Sequence, residues 1–400
     1  MEWLEGGVTA PLGFLASGVA CGLKKNGEPD LALLAAAVPA ASAGVFTQNR
    51  IKGHSLAWTQ RRTGGRVRAI LANSGSANAC LGPRGDEDAA AMAGLAARTL
   101  GVSEAEVLLA STGVIGRPVD LAALAAGLDQ AAASLSRAGG GAAARAIMTT
   151  DTHPKEAALA VQLGGGRTAT IGGMAKGAGM IHPNMATLLA FLTTDAPIGS
   201  VALDTALRDV VGCSFNAITV DGDTSPCDTV LALATGLAGG DEIQPGTCEF
   251  DAFRGGLCEV AGSLAAMVAH DGEGATKKVT ILVTGAASSE EARIVGRSVA
   301  ASSLVKTALF GADANWGRIL SAVGNAGVPI VPERISIRLG PVAVCSRGAG
   351  VEFDETAARE YLLGREIAIG IDLGAGDGRA TVRTCDLSYD YVRINGSYRS

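Results

Sequence analysis

Short apolar runs and Ala-rich helical stretches alternate along this chain. Val67-Arg-Ala-Ile-Leu-Ala72 and Glu106-Val-Leu-Leu-Ala110 have the apolar, β-prone character of strands, and the Ala-rich stretches at 86–100 and 119–136 read as helices. Residues 137–144, rich in Gly and Ala, read as an exposed linker. Two more strand-like runs follow at 157–163 and 168–172, and a third begins at Thr187. A helix over 200–212, a strand near 229–235 and a long helix around 249–269 complete this part.

From about 278 the pattern starts again. Val279-Thr-Ile-Leu-Val283 reads as a strand, 289–308 as helical, 333–345 and 365–371 as strands, and 355–363 as a short helix. Alternation of this kind predicts a layered α/β protein. The expected division is a larger α/β domain over 1–277, a smaller α/β domain over 278–383 and a C-terminal segment over 384–400, with no internal repeat.

Composition restricts the core and the partners. The chain is 48% hydrophobic but only 4% aromatic, with 55 glycines, so the core must be built from small and aliphatic side chains packed in close layers. A net charge of −6, with 33 Lys and Arg scattered among 39 acids, gives no support for nucleic-acid binding. The eight cysteines contain no C-x-x-C pair and no His at ligand spacing, so reduced, mostly buried thiols and no metal site are expected. The first residues lack a basic and apolar leader, and the apolar stretches look interrupted and short of a membrane span, which makes the cytoplasm the expected compartment. Neither Asp271-Gly-Glu-Gly-Ala-Thr-Lys277 nor Gly374-Ala-Gly-Asp-Gly378 has nucleotide-loop spacing, so no nucleotide cofactor is expected.

The chemistry concentrates in Lys176–Asp195. Gly177, Gly179, Pro183 and Asn184 are turn residues, and Thr187 stands where they give way to the apolar run Leu188–Leu192. A Thr hydroxyl held against the preceding carbonyl can attack it, form an ester by N-to-O shift and leave a new N-terminus when water cleaves that ester. The freed α-amine, with a pKa of roughly 7.7–8.0, can then serve as general base for the same residue's hydroxyl. The plain alternative is that Thr187 is only the first residue of a strand.

The segment Lys176-Gly-Ala-Gly-Met-Ile-His-Pro-Asn-Met-Ala-Thr187 resembles the self-cleavage and nucleophile segment of the ornithine acetyltransferase family, the bifunctional glutamate N-acetyltransferases of arginine biosynthesis. Other blocks resemble that family in the same order, among them Thr9–Phe14, Gly44–Asn49, Asn73–Cys80, Ser111–Gly116, Met148–Thr152, Val220–Thr224, Asp271–Lys277, Leu304–Ala308, Asn315–Ile319 and Asp386–Asn395. The resemblance implies helices sandwiching stacked β-sheets, similar to the self-processing amidase and aminopeptidase superfold. It also implies a cut between Ala186 and Thr187 into fragments 1–186 and 187–400, paired as α2β2 assemblies.

The resemblance assigns the oxyanion hole to Thr112 and Gly113, which follow a strand-like run and whose glycine lets a backbone N–H approach a ligand; a plain strand-to-loop turn is the alternative. For the substrate, Lys176 suits an α-carboxylate and Glu273 an ammonium or amide N–H, and the resemblance adds Thr152, Asn395 and Ser400, with 389–398 expected to tie the chain end down as a strand. The implied reaction is a ping-pong transfer of acetyl from N2-acetylornithine to glutamate through a Thr187 ester, with no cofactor; acetyl-CoA as a further donor stays open, because no CoA signature is legible. No G-x-S-x-G elbow accompanies His153 or His182, and His182 reads as a structural turn residue.

Departures from the family pattern at Pro226-Cys227, Ala314 and Ser400 leave the catalytic residues in place but loosen the substrate assignment. A Thr amidase or aminopeptidase using water, a specialised-metabolism homologue with another amino-acid substrate, and a non-catalytic protein of the same fold remain alternatives.

Overall fold

The computed structural model describes residues 1–182 and 188–397. Contacts divide the chain into two units: Met1–Gly177, Asn184–Phe215 and Thr224–Ala265 form unit 1, while Ala178–Pro183, Asn216–Asp223 and Ala266–Ser400 form unit 2. This departs from the boundary expected after Lys277. Backbone bonds from Val220 N to Ile181 O (2.7 Å) and from Thr219 N to Arg383 O (3.0 Å) tie the two short pieces to unit 2.

Unit 1 contains β1 (Glu2–Leu4), β2 (Phe14–Val19), β3 (Leu31–Phe46), α1 (His54–Gln60), β4 (Arg66–Ser76), α2 (Pro83–Leu100), β5 (Val107–Val114), α3 (Leu121–Ala133), α4 (Gly140–Ala146), β6 (Lys155–Gly164), β7 (Arg167–Lys176), β8 (Leu189–Thr194), α5 (Ser200–Cys213), β9 (Thr229–Ala234) and most of α6 (Cys248–His270). The strands form one hydrogen-bonded path, β1-β6-β7-β8-β9-β3-β4-β5, with β2 also on β3. Its organiser is the 16-residue β3, whose first half pairs with β2 and β4 and whose second half pairs with β9. The run is so rich in alanine that local propensity favours a helix. Pairing on both sides overrides it, and Pro39 falls in the register shift between Ala35 and Ala40, where a missing N–H costs no ladder bond.

Residue parity shows the layers. Leu31, Leu33, Ala69, Leu71, Val107 and Leu109 join α2 and α3 in one buried cluster. The alternate residues Ala32, Leu34, Ile70, Ala72, Leu108 and Ala110 instead share a cluster with Met174, Leu189, Phe191, Leu231 and Leu233 from β7, β8 and β9. The two halves of the path therefore pack on each other, with α2 and α3 covering one outer face. On β7, the Cα of Gly173 is so close to Leu264 of α6 that an added Cβ would lie 2.8 Å from its side chain, so α6 covers the other half. The protein is mixed α/β with helices outside β layers, as expected.

Three expectations change. The stretch read as a linker over 137–144 contains the start of α4, with Gly140, Ala143 and Ala144 buried. Glycine here serves close packing: a Cβ at Gly18 of β2 would run into the Ala142 carbonyl of α4. Gly18→Ala is expected to destabilise the protein by about 1–3 kcal/mol, seen as a lower urea midpoint at unchanged slope; an unchanged midpoint would show that α4 can yield.

Second, the chain does contain an apolar helix long enough to cross a bilayer: α6 has 23 residues, and half of its most apolar window is buried in the protein. Leu257, Val260, Leu264 and Val268 are at most 1% exposed, as in a core helix. Third, only Cys227, Cys345 and Cys385 are buried; Cys80, Cys213 and Cys248 are exposed, and all eight thiols are free. Cys213 and Cys258, at the end of α5 and in α6, lie with their sulfurs 3.2 Å apart.

Unit 2 contains β10 (Lys278–Ala286), α7 (Ser289–Ala301), α8 (Ser303–Phe310), α9 (Trp316–Gly324), β11 (Ser336–Leu339), β12 (Val342–Ser346), β13 (Ala349–Gly350), α10 (Glu355–Leu363), β14 (Glu366–Asp372), β15 (Gly378–Cys385) and α11 (Tyr389–Gly396). Its sheet runs β13-β12-β11-β14-β10-β15 and buries Val279, Ile281, Val283, Ile337, Ile369 and Val382 against α7, α8 and α9. The helical stretch expected over 289–308 breaks at Ser302, whose extended backbone and side chain cap α8. The C-terminal stretch expected as a strand is α11. Ser388 caps it by accepting from Asp390 N (3.2 Å) while donating to Gly274 O (2.6 Å), so the helix starts from an anchored residue.

Candidate active site

In unit 1, parallel β4 and β5 meet at an irregular register: Gly75 lies opposite Gly113, and Ser76 opposite both Thr112 and Val114. Such bulges re-aim side chains and end pairing. Gly113 has φ +126°, and an added Cβ would fall 2.6–2.8 Å from Gly75 backbone atoms, so only glycine fits. A buried polar chain fixes this corner. Asn78 Nδ2 donates to Ser55 Oγ (3.1 Å), Ser55 to Ser111 Oγ (2.7 Å), Ser111 to Asn73 Oδ1 (2.6 Å), and Asn73 Nδ2 to Ser76 O (3.0 Å). Thr112 follows directly and is 5% exposed.

Lys176, the last residue of β7, reaches this corner. Its side chain is buried, and Nζ donates to Thr149 Oγ1 at 2.7 Å and to Thr112 Oγ1 at 3.5 Å. The charge is balanced by Asp151, a residue that sequence reasoning passed over in favour of its neighbour Thr152. Asp151 Oδ1 accepts from Lys155 Nζ (2.7 Å) and Gly177 N (2.6 Å), and Oδ2 from Thr149 N (3.0 Å). Burial pushes the Asp151 carboxyl up, but Lys176 and Lys155 together with these hydrogen bonds outweigh it and hold the group at about 2. The i,i+4 spacing of Asp151 and Lys155 is legible in the sequence, but it does not show that folding brings Lys176 to the same carboxylate. Thr152 itself is exposed, with Oγ1 3.0 Å from His153 Nδ1.

A second buried carboxyl, Asp228, sits just before β9. Burial pushes it well above the usual carboxylate range, and neither oxygen has a hydrogen-bond partner of normal geometry among the described residues. The following amide, Thr229 N, donates to Leu188 O at 3.0 Å.

In unit 2, Glu273 and Asn395 come together. Asn395 Nδ2 donates to Glu273 Oε2 at 2.7 Å, and Glu273 N donates to Ala178 O at 2.8 Å. Glycine at 179 leaves room for the Glu273 carboxylate, which would have to shift to admit a Cβ there. The chain at 180–181 is pinned by Asp221, which accepts from Met180 N (2.6 Å) and Ile181 N (2.9 Å). His182 donates or accepts through Nδ1 to Thr219 Oγ1 (3.1 Å) and meets Arg297 Nη2 through Nε2 (3.1 Å). Burial, then the Arg297 charge, pushes His182 down to about 4, so it is neutral near pH 7, in keeping with a structural role. Ala186, Thr187 and Ser400 lie outside the described residues.

A layered α/β scaffold carrying a threonine–glycine bulge beside a buried, carboxylate-balanced lysine has the makings of an acyl-transfer enzyme. The profile of the ArgJ family matches residues 15–400. The chain belongs to the ArgJ family. It is similar to the arginine biosynthesis bifunctional protein ArgJ of Symbiobacterium thermophilum, 52% identical over 403 residues with all of both chains covered. The protein of the same name from Caldanaerobacter subterraneus is 46% identical over 405 residues, again with both chains fully covered. A crystal structure of arginine biosynthesis bifunctional protein argJ from Bacillus halodurans is 42% identical, covers 52% of this chain and 97% of its own, and superposes with a TM-score of 0.50.

Proposed function

We propose that this chain is a self-processing acetyltransferase of arginine biosynthesis that moves acetyl from N2-acetylornithine to glutamate. The observation that carries the reading is the convergence of Lys176 on Thr112 at the Gly113 bulge. It joins a cation suited to a substrate carboxylate with the residue pair that the family uses to stabilise an oxyanion.

In this reading the chain cuts itself between Ala186 and Thr187. The Thr187 hydroxyl then attacks the acetyl carbonyl, its α-amine taking the hydroxyl proton, while Thr112 and Gly113 stabilise the tetrahedral oxyanion. Collapse breaks the C–N bond, the amine returns the proton to the leaving nitrogen, and ornithine departs. Glutamate's amine next attacks the Thr187 ester, giving N-acetylglutamate and the free hydroxyl. Lys176 takes the carboxylate common to both amino acids, Glu273 and Asn395 the amine end, and Thr152 and Ser400 complete the substrate contacts. The protomer works as two fragments in an α2β2 assembly in the cytoplasm. The solved Bacillus halodurans chain, at 52% of this one, has close to the share that 187–400 would occupy.

Intact mass spectrometry of purified enzyme tests the reading. Two species joining at Ala186/Thr187 are expected, the 187–400 species gaining one acetyl mass after brief exposure to acetylornithine and losing it on addition of glutamate. An uncut chain in an active preparation would sink it, and an ester that water clears at the same rate with or without glutamate would make the protein an amidase. Supplying glutamate with acetyl-CoA in place of acetylornithine tests that second donor.

A further inference from the structure

Unit 2 holds a cavity of 960 Å³ that the acetyl-transfer chemistry does not use. It lies between α7 and α9, and its charged or ionisable lining among the described residues is His182, Arg297 and Arg318, with no carboxylate among those described. Of the acids around it, Glu290 pairs with Arg293, Asp313 accepts from Asn315 Nδ2 at 3.1 Å, and Asp223 acts on His182 without lining the cavity.

Arg297 is the unusual member. Its Nη2 donates to His182 Nε2, so the ring proton sits on Nδ1 and points to Thr219 Oγ1, whose own proton goes to Ile181 O at 2.9 Å. That leaves the guanidinium without a close ion pair among the described residues, Glu290 acting on it only from a distance, and its Nε is buried with no hydrogen-bond acceptor among them. A half-buried cation with a buried, unpaired N–H is costly unless something fills the gap. Arg318 uses Nη1 on Leu304 O (2.9 Å) and Thr307 Oγ1 (3.4 Å), which leaves the other donors of its five N–H fork available.

Size and wall chemistry narrow the ligand. Small-molecule sites run from roughly 300 to 1,000 Å³, so an amino acid or an inorganic ion leaves most of this space empty. Apolar residues Ile294, Ala301, Leu304, Ala322 and Ala326 share the lining with the arginines, while Ser321 and Asn325 offer neutral polar contacts. Arg forks match phosphate oxygens in pairs, and an apolar wall suits a flat ring. We propose that this cavity binds a phosphate ester of nucleotide size, its phosphates on Arg297 and Arg318 and its ring on the apolar wall.

Calorimetric titration of the processed enzyme with ADP, pyrophosphate and adenosine tests this. ADP is expected to bind once per protomer and at least tenfold tighter than adenosine, with pyrophosphate between them. Arg318→Ala and Ser321→Glu should each weaken ADP at least tenfold. Ser321 is exposed, so its substitution tests the cavity's charge without threatening the fold. Saturating glutamate or acetylornithine should leave ADP binding unchanged, which separates this cavity from the amino-acid site. ADP binding no tighter than adenosine, an affinity untouched by Ser321→Glu, or displacement of ADP by glutamate would each overturn the assignment.

Discussion

Thr187→Ala is expected to leave a single uncut chain of 400 residues and to lower acetyl transfer by on the order of 10⁴-fold or more. The size follows from the double duty proposed for Thr187: its hydroxyl cuts the chain and later carries the acetyl group, and the amine that acts as base exists only after the cut. Alanine removes the first function and prevents the second. Thr187→Ser keeps the hydroxyl and the prospective amine, so it should still cut and acetylate, more slowly. Intact mass and ornithine release read both steps. Cleavage at the same bond in the alanine variant would move the nucleophile elsewhere.

Asp151→Asn is expected to destabilise unit 1 strongly while barely changing the side chain's shape. Asp151 accepts from Lys155 and feels the charge of Lys176, both buried, and neutralising it removes a negative charge that offsets two ammonium groups. Breaking a buried pair from one side costs about 3–5 kcal/mol. Of this, proton linkage supplies on the order of 2 kcal/mol. Because the folded carboxyl is held at about 2, below its ordinary 3.8, its stabilisation is fully present above pH 3.8 and is lost as pH falls through about 2. Urea unfolding of the two proteins should therefore differ by a constant amount above pH 4 and converge toward pH 2. A difference that does not change over that window would mean that Asp151 is not acting as a charge. Lys176 would lose its orientation toward Thr112 as well, so transfer should fall along with stability.

Much of the architecture was readable because periodicity and burial agree. The strands at 157–163 and 168–172, the helices at 200–212 and 355–363, and the restart near 278 all correspond to elements whose apolar faces meet the core. Misreadings came where local preference and tertiary demand diverge. Alanine in 31–46 leans locally toward helix, so β3 becomes visible only through its pairing with β2, β4 and β9. Glycines 139 to 141 resemble a linker in one dimension, yet a Cβ at Gly139 would strike the Ala16 carbonyl, which marks close packing. The C-terminal aromatics and β-branched residues suggest a strand, while Ser388 starts a helix there.

For chemistry, the sequence alone determined which residue types stand at the candidate positions and that the chain belongs with self-processing acetyltransferases, because the order of many short blocks carries that information. It did not determine the electrostatics. Lys176 and Thr112 are 64 residues apart in sequence, and Asp151 stands 25 before Lys176; only folding brings the ammonium to 3.5 Å from one and under the influence of the other. Thr152 could be named from its block, whereas Asp151 could not, since a carboxylate's value as a counterion depends on how much water has been removed around it. The same reason hides Arg297: its sequence neighbours give no sign that tertiary packing buries its Nε without an acceptor. Patterning along the chain specifies faces and turns, but desolvation is a property of the packed whole, and it is desolvation that turns ordinary Asp, Lys and Arg side chains into a charged framework for a site.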